Sequence, residues 1–181
     1  MFGYIENATI SNVLLTNVNI SGFSNTGTIV GEDRFGVLSN ISVTGRVSGN
    51  SATGGLIGRS LGAINNCFTD VSVSGSTYSG GIVGRGSTNI SNSFALGNVH
   101  ASSRDAGGLI ALSGGVITNS YAKGSVTSGG TKGGLVGRIS GENANVVNSF
   151  WDVQSSGLTN SNGGEGKTTS EMNDPFTYQQ A

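Results

Sequence analysis

Charge, proline, cysteine and histidine are all scarce in this chain of 181 residues, and each scarcity closes off a class of protein. Only 10% of the residues are charged, and nine Lys and Arg against ten Asp and Glu leave a net charge of −1. No basic stripe exists to neutralise a run of phosphates, which argues against nucleic acid as a partner. One Pro, Pro175, against 32 Gly rules out collagen, which needs abundant Pro and Gly at every third position. One Cys, Cys67, excludes an intrachain disulfide framework and a Cys-based zinc site. The single His, His100, removes His-rich metal sites and weakens any Ser/His nucleophile. No run of about 18 apolar residues is present to cross a membrane. The start, Met1-Phe2-Gly3-Tyr4, lacks the basic region and apolar run of a signal peptide.

What fills the chain instead is Gly (32), Ser (27), Asn (19) and Thr (16), together 94 of 181 residues. A 35% hydrophobic content with little net charge argues against disorder. The small residues are periodic. A glycine pentamer recurs as Gly27-Thr28-Ile29-Val30-Gly31, Gly54-Gly55-Leu56-Ile57-Gly58, Gly80-Gly81-Ile82-Val83-Gly84, Gly107-Gly108-Leu109-Ile110-Ala111 and Gly133-Gly134-Leu135-Val136-Gly137, at spacings of 27, 26, 27 and 26. Between the pentamers an apolar residue leads, two positions on, to Asn12, Asn40, Asn66, Asn92, Asn119 and Asn148. Seven residues after the middle asparagines come Val47, Val73, Val99 and Val126, flanked by polar residues such as Arg46 and Ser48, Ser72 and Ser74, Asn98 and His100, and Ser125 and Thr127. Alternation of this kind predicts short strands with Val inward.

A unit of three short strands cannot bury a core alone, but stacked on copies of itself it pairs every strand in parallel. The sequence therefore predicts an all-β β-solenoid (β-helix) of about five coils, each of 26 to 27 residues and three short parallel strands, with a non-repeat C-terminal cap. Residues 1–26 read as a degenerate N-terminal coil or cap, 27–150 as the repeat solenoid and 151–181 as a capping segment, truncated from a longer parent. No segment shows helical periodicity. Glycine is expected where corners need positive φ or close backbone approach.

Gly-Gly-Leu-Ile-Gly and Gly-Gly-Leu-Val-Gly, with Ile117-Thr118-Asn119-Ser120-Tyr121-Ala122-Lys123-Gly124-Ser125-Val126, resemble the GLUG repeat of bacterial surface and secreted proteins. Asn148-Ser149-Phe150-Trp151-Asp152 and Gly163-Gly164-Glu165-Gly166-Lys167-Thr168-Thr169 are similar to the segment that closes such arrays. The resemblance runs from about Gly27 to Met172. It implies an extracellular or cell-surface location, in the company of adhesin-like passengers and the non-catalytic part of some immunoglobulin A peptidases. Departures are Thr28 for the second Gly, Leu14 and Ser42 at the aromatic position, and Ala111 for the last Gly.

In a solenoid a residue's role is first that of its column. The asparagines are expected to form a structural ladder, each amide donating to one neighbour and accepting from the other. Phe68, Phe94, Tyr121 and Phe150 form an aromatic column, expected in the core, with sugar binding as the alternative. Cys67 shares its position with Ser93, Ser120 and Ser149 and reads as a small residue in a small space. Arg59, Arg85 and Arg138 follow three pentamers and mark a candidate anion or sulfated-glycan strip, against the simpler reading of solvated charges that guard the surface. Val30, Ile57, Val83, Ile110 and Val136 are expected to face outward, beneath a second layer or at an interface.

The acids form no pair across adjacent coils of the sort a polysaccharide lyase or hydrolase needs. Asp70, for example, aligns with Thr44, Leu96 and Lys123. The sequence thus predicts a non-enzymatic structural or adhesive module, a rigid spacer or a segment that binds surface glycan or host ligand, with no catalytic, metal or cofactor site. Its partners are a surface glycan or protein ligand and, through coil ends or an apolar face, further copies. The alternatives are ice binding by the strand row of Ser72, Ser74, Ser125 and Thr127, which Arg46, Asn98 and His100 interrupt, a self-assembling fibre module, and, by fold analogy alone, a β-helix polysaccharide enzyme.

Overall fold

Two motifs close each coil of the computed structural model, which describes residues 1–179. At the first corner stand the six asparagines, all left-handed, with φ of 58°, 54°, 52°, 48°, 48° and 48° from Asn12 to Asn148. That conformation costs most L-residues roughly 1–2 kcal/mol, and Asn among the least because its short amide can bond locally. At the second corner lie the glycine pentamers, whose first glycines pair in register, Gly27 with Gly54, Gly54 with Gly80, Gly80 with Gly107 and Gly107 with Gly133. Left-handed φ is not what these glycines supply. A Cβ on Gly55, Gly81 or Gly108 would lie 1.9–2.1 Å from the carbonyl oxygen of the equivalent glycine in the next coil. Close stacking therefore demands Gly there, and the asparagines carry the left-handed turn.

Between the corners the chain winds about six turns, one more than the five pentamers suggest. Three parallel sheets result. The first has six strands, from Phe2–Glu6 to Val136–Ile139, and the second five, from Thr26–Gly27 to Lys132–Gly133. The third has thirteen segments. In its first two coils Thr9–Ser21 and Val37–Ser48 run unbroken, while later coils divide the same path, as in Asn89–Ser91, Phe94–Ala95 and Val99–Ala101. The three short strands expected for a whole coil are thus exceeded, since this side alone is one long strand at one end of the rod and three pieces farther along.

The core is a stack of apolar columns. Leu38, Ile64, Ile90 and Ile117 are at most 1% exposed, and Val47, Val73, Val99 and Val126 at most 2%. Each such side chain contributes roughly 1.5–3 kcal/mol. Both apolar residues of every pentamer are fully buried, including Val30, Ile57, Val83, Ile110 and Val136. This corrects the outward placement of that column. The chain turns between the second and first sheets at this corner, so two consecutive side chains enter the core where a straight strand would send one out.

The ends differ. At the N-terminal end, the inward residues Ile10, Val13, Leu15, Val18 and Ile20 of Thr9–Ser21 are only half-buried. At the other end, Glu165–Lys167 adds a parallel strand to Phe150–Asp152, and Trp151 lies across the core, 6% exposed, against Gly134. Short helices at Val153–Ser156, Thr169–Met172 and Phe176–Gln179 complete this end, where the sequence shows no helical period. Asp152, fully buried, caps the first by accepting the N–H groups of Gln154 (2.9 Å) and Ser155 (3.1 Å), and it accepts the Thr169 hydroxyl at 2.8 Å. Burial alone would raise its pKa, but the Ser155, Thr169 and Gln154 bonds outweigh burial and hold it below the usual carboxylate value.

Candidate functional site

The outer face of the third sheet presents two rows of side chains along the rod. Asn19, Arg46 and Ser72 lie side by side in register, and pairing of Val73 with Val99 and Val99 with Val126 extends this row through Asn98 to Ser125. Two residues farther along each strand, the second row runs Ser21, Ser48, Ser74, His100, Thr127. The chain bends at Gly97 and Gly124, just before these rows, where the third sheet breaks into pieces. A groove of about 780 Å³ crosses all five strands here, lined by these rows, Ser21 excepted, together with Asn17, Val18 and Gly45. Sequence alternation identifies most of the outward side chains. It carries no sign of the concavity.

Some groups in the groove already hold one another. Asn98 Oδ1 accepts from Ser125 Oγ (2.9 Å) and Ser125 N (3.0 Å), and His100 Nδ1 is 2.9 Å from Thr127 Oγ1. Ice recognition wants a flat, regular hydroxyl grid, whereas Arg46, Asn98 and His100 sit inside this hollow.

The aromatic column is on the same outer face, not in the core. Phe68, Phe94 and Tyr121 are half-buried, and only Phe150 is buried. Their register is continuous from Ser42 to Phe150. Phe94 and Tyr121 stack at 4.8 Å with planes 6° apart, while Phe68 and Phe94 lie at 4.9 Å, tilted by 50°. Phe94 and Tyr121 therefore turn their faces on each other, which is poor geometry for stacking on a sugar. Tyr178 covers Tyr121 and Phe150 at 5.7 and 5.9 Å.

Arg59, Arg85 and Arg138 share a column of the first sheet with Glu32 and Leu112. Arg59 contacts Glu32 at 2.6 Å, and Arg138 contacts the buried carboxylate of Asp105 at 2.6 Å. Arg85 lies 5.3 Å from the Tyr78 ring centre, with Arg104 at 5.2 Å on the same ring. The charge of each is thus engaged within the protein.

The exposed asparagine column makes two amide-to-amide bonds among the described residues, Asn40 Nδ2 to Asn12 Oδ1 and Asn119 Nδ2 to Asn92 Oδ1, each 3.2 Å. Beside it runs an inner ladder. The N–H of Cys67 donates to Ser93 Oγ at 3.0 Å, that of Ser93 to Ser120 Oγ at 3.2 Å and that of Ser120 to Ser149 Oγ at 3.1 Å. Each serine hydroxyl in turn donates across its own corner, to the carbonyls of Ser91, Thr118 and Val147. Cys67 is fully buried, burial pushes its thiol pKa up, and its sulfur donates to Asn65 O at 3.3 Å.

Buried carboxylates are tied into the scaffold. Asp33 accepts from Gly36 N (2.8 Å) and Ser60 Oγ (2.7 Å), Asp105 meets Arg138, and Asp152 caps its helix. Asp70 is exposed and stands beside Thr44. Among the described residues no group of three or more His, Cys, Asp or Glu is placed to hold a metal ion, and no helix is long and apolar enough to cross a membrane.

Fold and surface define the class as a parallel β-solenoid with an open groove on one face. No protein-family model matches the chain, so the GLUG likeness is one of motifs. Its fold is similar to the crystal structure of a putative immunoglobulin A1 protease from Bacteroides ovatus, with a TM-score of 0.77 and 25% identity, over 94% of this chain and 63% of that one. In sequence, 71 residues of the chain are 37% identical to Halomucin of Haloquadratum walsbyi. That match takes in 39% of this chain and 1% of Halomucin.

Proposed function

We propose that this chain is a non-catalytic, rigid module of a cell-surface or secreted protein, a spacer whose outer faces meet surface ligands. The observation that carries the reading is mechanical. Three parallel sheets run the length of the rod, and the buried carboxylates serve as caps, ion pairs and corner bonds. The likenesses to Halomucin and to a protein named for immunoglobulin A1, an extracellular target, support the location. In this reading the asparagine column is structural, and Arg59 and Arg138 tie side chains of neighbouring coils together at the first sheet, while Arg85 packs on Tyr78.

Two measurements test it. Antibody to the module should label intact cells of the source organism, and labelling that requires permeabilised cells overturns the location. Incubation of the isolated chain with immunoglobulin A1 should leave the heavy chain whole, whereas discrete fragments overturn the non-catalytic reading.

A further inference from the structure

We propose that the groove over the third sheet is a binding cleft for an extended polysaccharide bearing sparse carboxylates, laid along the rod axis. The inference rests on the surface-module reading and gives it a ligand class.

Shape is the first argument. The groove crosses five strands, and at about 4.8 Å between strands it is roughly 19 Å long. Each strand step is close to the length of one pyranose, so successive sugars can meet successive, similar sets of side chains. A volume of about 780 Å³ is ample for several units.

Chemistry is the second. The lining is amide and hydroxyl, the groups that match sugar hydroxyls as both donor and acceptor. Among the described residues, the side chains of Asn19, Arg46, Ser72 and Ser74 make no hydrogen bond within the protein, so one contiguous patch is free to bond a ligand. Next to it the Asn98–Ser125 and His100–Thr127 pairs are already fixed, which lowers the cost of ordering that end of the cleft. Val18, half-buried at the other end of the lining, supplies an apolar contact for the carbon face of a ring.

Charge selects the occupant. Arg46 is the one permanent charge lining the groove, and no carboxylate lines it. A single cation over some four sugar lengths suits a polymer whose carboxylated sugars are interspersed with neutral ones, and is too little for nucleic acid. An extended peptide would pair with a sheet edge, and this is a sheet face.

The test titrates the full chain with hyaluronan oligosaccharides, which alternate carboxylated and neutral sugars, and with neutral N-acetylglucosamine oligomers of equal length. Hyaluronan is expected to bind at least tenfold more tightly than the neutral series. Arg46→Gln should erase most of that preference, and Ser72→Val with Ser74→Val should weaken both series several-fold. Lys132→Gln, an exposed charge outside the groove, should change neither. Unaltered thermal unfolding certifies that each variant is folded. Absence of binding at millimolar sugar overturns the cleft, as does binding indifferent to Arg46→Gln or equally weakened by Lys132→Gln. A chain found on the cell surface that ignores hyaluronan sinks the cleft alone, and a chain that binds it but is never at the surface sinks the surface reading alone.

Discussion

The first two coils and the later ones solve the same corner in different ways. Just after the left-handed asparagine, the inward position holds Val13 and Ile41 in the first two coils, Cys67 in the third and Ser93, Ser120 and Ser149 thereafter. Where that residue is apolar, the third-sheet strand runs on for 13 or 12 residues. Where it is serine, the hydroxyl accepts an N–H that a strand would give to a neighbouring carbonyl, and the ladder is interrupted. The residue at this corner thus separates the coils in which this wall runs through the asparagine as one strand from those in which it is broken there, and the bend at Gly97 and Gly124 is a second break four residues farther on. The groove spans both regions.

The widest separation between the regions is expected at the second glycine of the pentamer. Thr28 fills it in the first pentamer, its hydroxyl donating to Gly55 O at 2.5 Å. At Gly108 a Cβ would stand 2.1 Å from Gly134 O and 2.7 Å from the Ala122 methyl. Gly108→Val should cost about 3 kcal/mol or more in urea unfolding, and Thr28→Ala only about 1 kcal/mol. Equal losses would show that both ends of the column are packed alike.

Next in size is the clamp at the C-terminal end, which has no counterpart at the N-terminal one. Because the Asp152 pKa is lowered by folding, its contribution is complete above the unfolded value of about 3.9 and is lost as pH falls through the lower folded value. Asp152→Asn should cost about 2–3 kcal/mol at pH 7, with a smaller further loss on acidification than the parent shows. A parent and variant that lose stability in parallel below pH 4 would remove Asp152 from the account.

Serine at the later corners predicts a distinctive signature. Ser120→Ala strands the buried Ser93 N–H and should cost about 2 kcal/mol. Ile41→Ala, in the continuous region, should cost about as much through a cavity. Hydrogen exchange separates the causes, with the Ser93 amide exchanging faster in the first variant and unchanged in the second. The asparagine corner should be milder. Asn119→Ala is expected to cost about 1 kcal/mol and Asn119→Gly a few tenths, because glycine pays nothing for positive φ. A larger loss for Gly than for Ala would assign the column's value to its amide bonds.

Much of this was legible because one period governs two motifs. Asparagines, pentamers and valines align in the sequence as they do in space, since a solenoid turns sequence period directly into stacking. Side-chain direction was less secure. Counting back by twos from the buried Val73 gives Val71, Thr69 and Cys67 inward, which already places Phe68 outside with Asp70, Ser72 and Ser74. Aromatic size argued for the core and was overruled by pleat. At Leu56-Ile57 the same parity argument fails, because the chain turns a corner and both side chains go in. The groove, which crosses five coils, is a property of the assembled surface that no single coil's sequence announces. Helices such as Val153–Ser156 are a single turn held by the Asp152 cap, too short to show a period.

The smallest effect is expected at the seam between the regions. Cys67 stands where apolar corners give way to serine corners, and its sulfur keeps the donor part of the serine role, to Asn65 O across its own corner. Cys67→Ser exchanges a polarisable, well-packed atom for a stronger hydrogen-bonding one in the same place, so the two changes oppose each other. Stability should stay within about 0.5 kcal/mol. Cys67→Val keeps the packing and removes the bond to Asn65 O, which should cost about 1 kcal/mol unless the corner closes as it does one coil earlier, where Ile41 holds this position. The two variants together therefore locate the switch. If Val is as well tolerated as Ser, the third coil can adopt the continuous-strand solution, and the boundary between the two walls is set by Ser93 rather than by Cys67.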